Sequence, residues 1–160
     1  MVAELLAALD GSALANWLRA SFWVYPFINT AHVLGIALLV GAIGPVDARL
    51  LGAWPEIPLQ NLTHSVLPFA MAGCMLAILS GSLLFVVQPL DYAGKPIFWV
   101  KLGLVTAGVA NALLLRRTAG WQLIDLGHNH PPAPRLRWAG GLSLGFWLGA
   151  LVLGRLLAYV

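Results

Sequence analysis

The sequence predicts an all-α integral membrane protein: a four-transmembrane-helix bundle with a short N-terminal interfacial helix, one domain over residues 1–160. Two observations carry that prediction. Of 160 residues, 60% are hydrophobic and only 9% are charged, whereas a soluble domain is about 25% charged. The apolar residues also gather into four stretches, each long enough to cross a hydrocarbon core about 30 Å thick. This composition excludes a disordered chain and argues against a soluble enzyme.

Met1 to Leu9 reads as a short helix with Val2, Leu5, Leu6 and Leu9 on one side. Asp10-Gly11-Ser12 breaks it and supplies capping groups for the next helix. Glu4 and Asp10 stand where a signal peptide would carry basic residues, so insertion is expected to be directed by the first crossing. Apolar sequence from Ala13 to Gly44 is too long for one straight crossing at about 1.5 Å per residue. Its first part, with Trp17, Arg19, Trp23 and Tyr25, is expected in the interface. The first crossing then covers about 20–44, bent near Pro26 and ending at Pro45.

A loop with Asp47, Arg49 and Glu56 leads to the second crossing, about 62–87. A polar turn, Gln88 to Lys95, precedes the third, about 97–115, which Arg116-Arg117 closes. A longer solvated loop with His128, His130, Arg135 and Arg137 leads to the fourth, about 138–159. The single cysteine, Cys74, excludes an intrachain disulfide.

The net charge of +3 does not mark a nucleic-acid binder, because no basic run exceeds Arg116-Arg117. It reads instead as topology. Arg49, Arg116, Arg117, Arg135 and Arg137 share one side, which is expected to be cytoplasmic, with both termini periplasmic. The expected partners are the lipid bilayer and a homo-oligomer or larger membrane complex. Small residues (Gly35, Gly41, Ala70, Gly73, Gly103, Gly108, Gly145, Gly149) allow close helix approach, with Gly145 and Gly149 forming a GxxxG.

Ionisable residues at membrane depth are functional candidates. His32 lies roughly 20 Å before Pro45 along a helix, and Lys101 lies roughly 9 Å beyond Lys95, which puts both in the outer half of the membrane. Arg155, Asn29, Ser80 and Ser82 are expected in the same half. Level with His32 on the second crossing is Met75, with Cys74 beside it and Met71 one turn away. His64 lies too shallow to share one metal with His32. A neutral imidazole in such a bundle points to haem b, with His32 ligating iron, Met75 or Met71 as sixth ligand, and Lys101 and Arg155 meeting the propionates. Copper handling by His32 with Met71, Cys74 and Met75 is a second reading. A third is an accessory subunit without cofactor, in which Lys101 and Arg155 snorkel and the sulfur residues fill apolar gaps. No phosphate-binding loop, nucleotide fingerprint, HExxH or nucleophile elbow is present.

The stretch Tyr25 to Gly52, with His32-x-x-Gly35 in mid-helix and Asp47-x-Arg49-Leu50-Leu51-Gly52 at its end, resembles a bacterial family of four-helix membrane proteins of unknown function. Ser80-Gly81, Phe98 to Val105, Asn111 and Ser143 to Tyr159 extend the likeness over nearly the whole chain. More distantly, the chain resembles the CopD copper-resistance domain and HemJ-type protoporphyrinogen oxidases. The likeness to the four-helix family implies a bacterial cytoplasmic-membrane location, and the HemJ likeness implies a role for His32 and Lys101 in haem binding and activity. The Met71/Cys74/Met75 face is not part of the pattern of the four-helix family.

Overall fold

A computed structural model describes residues 1–127 and 132–159, and all their regular secondary structure is helical. The helices are α1 (Val2–Asp10), α2 (Ala13–Ala20), α3 (Val24–Leu51), α4 (Leu59–Val87), α5 (Pro89–Gly94), α6 (Pro96–Arg116), α7 (Ala119–Asp125) and α8 (Pro134–Leu156). Among the described residues, α3, α4, α6 and α8 are the four helices long and apolar enough to cross a membrane.

The N-terminal segment is two helices joined at Gly11, with the Ser12 hydroxyl accepting from Ala15 N–H at 3.2 Å. α1 buries no residue, as befits an interfacial helix, whereas α2 buries Ala15 and Leu18. Arg19 ties this segment to the bundle. Its guanidinium donates to the Asp10 carboxylate at 2.8 Å and to the Val87 carbonyl at the end of α4 at 2.9 Å.

Three boundaries differ from the sequence expectation. The chain breaks at Ser21 to Trp23 and not at Pro26, which lies in the first turn of α3, where a missing N–H costs little. α3 does not stop at Pro45 but continues to Leu51. The proline forfeits one backbone hydrogen bond, which is offset because Val46 and Leu50 pack into a buried cluster with Leu59, Trp121, Ile124 and Leu136. Gly52, at φ 113°, ends the helix in a conformation that glycine adopts without strain. The long loop also holds a helix: Thr118 caps α7, which seats Trp121 and Ile124 in the same cluster.

Across the bundle the order is α4–α3–α8–α6: α3 packs along α4, α8 bridges α3 and α6, and α4 makes no extended contact with α6. Phe85 and Phe98 stack across the α4–α6 gap at one end, centroids 5.3 Å apart, and α7 touches both helices at the other. The closest approach is between α3 and α4. A Cβ on Gly35 would stand 2.6 Å from the Ala77 nitrogen, and one on Gly73 would stand 2.6 Å from the Leu39 nitrogen. Of the GxxxG pair of α8, Gly149 lies under Leu104 of α6, while Gly145 meets nothing within the chain.

Gly73→Ala is therefore expected to destabilise the bundle by about 1–3 kcal/mol, because backbone must move to admit the methyl. Gly41→Ala, whose Cβ meets nothing within 4 Å, should be neutral or stabilising by up to about 1 kcal/mol. Denaturant unfolding of the detergent-solubilised chain separates the two, and equal effects would contradict the packing.

Candidate functional site

His32 lies one turn before Gly35, so the helix contact made by Gly35 and Gly73 brings the imidazole onto the backbone of α4. Nδ1 is 2.9 Å from the Ala77 carbonyl oxygen and 3.2 Å from Ser80 Oγ. A carbonyl oxygen only accepts, so Nδ1 carries the hydrogen and donates it, leaving Nε2 with a free lone pair. Ser80 gives its own hydrogen to the Leu76 carbonyl and is free to accept from His32. The side chain at position 81 would ordinarily cover the Ala77 carbonyl, because helical side chains lean toward the N-terminus. Gly81 leaves that carbonyl open, and a Cβ there would stand 2.9 Å from His32 Cε1.

Lys101 of α6 reaches the same region. Its Nζ would stand 3.3 Å from a Cβ on Gly154 of α8, and its charge lies within Coulombic range of the His32 ring. It makes no salt bridge among the described residues. His32 and Lys101, expected at one level from separate helices, lie at the same end of the bundle without a hydrogen bond between them among the described residues.

The other expected members of the cluster are placed differently. Arg155 is exposed, donates to the Tyr159 hydroxyl at 2.8 Å and stacks on that ring at 5.1 Å. The residue facing Lys101 is Gly154, and the next position on a helix points about 100° away. Asn29 is exposed. Met71 and Met75 are also exposed, at 54% and 63%. Of that sulfur face only Cys74 packs inward, against the cluster of Leu39, Ala42, Ala70 and Trp147. The register differs too: Ala77 to Gly81, and not Met75, lies across from His32, because the glycine contact and not membrane depth sets the offset of α3 on α4. Ser82 and His64 are exposed. His128 and His130 lie outside the described residues. Among the described residues no group of three or more His, Cys, Asp or Glu is placed to hold a metal ion.

A second polar region lies at the opposite end of α3. Asp47, expected in a loop, is 3% exposed, and its Oδ2 has no hydrogen-bond partner among the described residues. It lines a cavity of about 60 Å³ with Asn111 of α6 and Ser143 of α8. Arg49, also expected in that loop, is 4% exposed and donates to the Ile57 and Pro55 carbonyls at 2.8 and 3.0 Å. The signal that would have found this region is the spacing of Val46 and Leu50, which continues the helical stripe past Pro45.

Comparison with protein-family models, with curated proteins and with solved structures finds no match to the chain.

Gly81→Ala should press on the imidazole and cost about 1–2 kcal/mol. In a His32→Ala background the same change should be close to neutral, because the ring it meets is gone. A double-mutant cycle on unfolding free energy reads this coupling, expected above about 0.5 kcal/mol. Additive effects would contradict the contact.

Proposed function

We propose that this integral membrane protein binds haem b at His32, through Nε2, in the half of the bilayer that holds Lys101. The observation that carries the reading is the bond from His32 Nδ1–H to the Ala77 carbonyl at 2.9 Å. A backbone acceptor on one ring nitrogen fixes the tautomer and orientation and raises the basicity of the other, which is how metal-binding histidines are prepared. The residues present fit one axial ligand. Met71 and Met75 face away from the ring, so a sixth ligand from α4 is not part of the proposal, and neither is the copper reading that needed those sulfurs.

Bound there, haem supplies one-electron or oxygen chemistry, and the protein supplies orientation and electrostatics. Ala77 and Ser80 hold the ring plane of His32 against α4. Gly81 leaves space for it. The Lys101 ammonium, with no acid partner among the described residues, offers its charge to a propionate at partial burial, where such a pair is stronger than in water. α4 and α6 make no extended contact, but the Phe85–Phe98 stack bridges them near this end, so a planar group entering between them would have to part that stack. Arg116, Arg117, Arg135 and Arg137 are all exposed at the other end, which supports a periplasmic position for the His32 half in a bacterial cytoplasmic membrane.

Protein purified from haem-replete cells should show a Soret band and a reduced-minus-oxidised difference spectrum, both lost in His32→Ala. Lys101→Gln should keep the band and weaken haem retention about tenfold, and Met71→Leu with Met75→Leu should change neither. A folded, colourless wild-type preparation would overturn the proposal, as would an unchanged spectrum in His32→Ala.

A further inference from the structure

The Asp47 region stands apart from His32, roughly 22 Å further along α3 at 1.5 Å per residue, and the proposed haem site does not use it. We propose that its cavity binds one small monovalent cation, a hydrated proton or an alkali ion, at the Asp47 carboxylate.

The carboxylate is 3% exposed, and one oxygen has no partner among the described residues. Burying an uncompensated carboxylate is costly, so the group must either take up a proton or meet another positive charge. The elements packed around the group do not supply one. On α3, Arg49 is committed to the Ile57 and Pro55 carbonyls. α4 contributes only apolar side chains to the cavity, α7 contributes the uncharged indole of Trp121, and α8 contributes the hydroxyl of Ser143. On α6, Arg116 lines the cavity but is exposed and forms no salt bridge with Asp47. Among the described residues no cation meets the carboxylate, and the missing charge comes from outside.

The lining selects its size and valence. A cavity of about 60 Å³ exceeds the roughly 10–15 Å³ that one water requires on this measure, so it takes a small ion with part of its water shell. The polar atoms are hard oxygens: the carboxylate, the Ser143 hydroxyl and the amide oxygen of Asn111, whose Nδ2 already donates to the Ala139 carbonyl at 3.0 Å. One carboxylate is too little charge for a divalent ion, which takes six or more oxygens and usually several carboxylates. The Arg116 guanidinium, which also lines the cavity, repels any cation there and a divalent one twice as strongly. Intramembrane carboxylates that line water-filled cavities mark ion and proton pathways.

The test is difference infrared spectroscopy of the full chain in lipid, in two arms: exchange of Na⁺ for a bulky organic cation at constant ionic strength, and a pH step in alkali-free buffer. A carboxyl band that responds in either arm and is absent in Asp47→Asn is expected, and the arm that responds identifies the ion. Ser143→Ala, which keeps the carboxylate and removes one ligand, should shift the responding concentration about tenfold, and it serves if the Asn variant does not fold. No response in either arm, a response that persists in Asp47→Asn, or an unshifted Ser143→Ala would overturn the proposal. None of these readouts depends on haem.

Discussion

The contact between Gly35 and Gly73 is the constraint on which the rest of the bundle depends. Lipid tails are as apolar as leucine, so helices in a membrane gain little from hydrophobic burial against each other and associate through close packing. Here the two helix backbones touch with no space for a methyl group on either glycine. That contact sets the offset of α3 on α4. The offset places His32 opposite Ala77 to Gly81, and Gly81 leaves the Ala77 carbonyl within the ring's reach. A slip of one turn would set the imidazole against apolar side chains with its Nδ1 unsatisfied, which is costly in a low-dielectric interior.

α3 carries the polar groups of both ends because it is the inner helix, packed on α4 along one side and on α8 along another. His32 at one end uses a backbone carbonyl of α4. Asp47 at the other meets α8, where Gly140 lies against its carbonyl oxygen and Leu50. The two regions share a helix and no side-chain contact. A ligand at one end is therefore expected to act on the other only through the position of α3 as a body.

The fold was legible because the apolar stretches are long and the breaks are polar, and each of the four expected crossings corresponds to one long apolar helix, although the first is displaced toward Leu51. That His32 and Lys101 belong to one end of the bundle was legible as well, since depth along a helix is simple arithmetic at about 1.5 Å per residue. Facing was not. Arg155 was assigned to the cluster by depth alone, but rotation about α8 turns Gly154 to Lys101 and sends Arg155 to Tyr159. Met75 was matched by the same arithmetic and lost to a glycine contact that no hydropathy pattern reveals. Asp47 was hidden by Pro45: a proline that ordinarily ends a helix is tolerated here because the turns after it are packed by Leu59, Trp121 and Leu136.

Everything assigned to His32 rests on which ring nitrogen carries the hydrogen. Nitrogen-15 NMR of histidine-labelled, haem-free protein in lipid reads this directly, with His32→Gln identifying the resonance. The expected result is the Nδ1–H tautomer with a bare Nε2, held in one orientation. An Nε2–H tautomer, or a ring averaging between the two, would contradict the assignment.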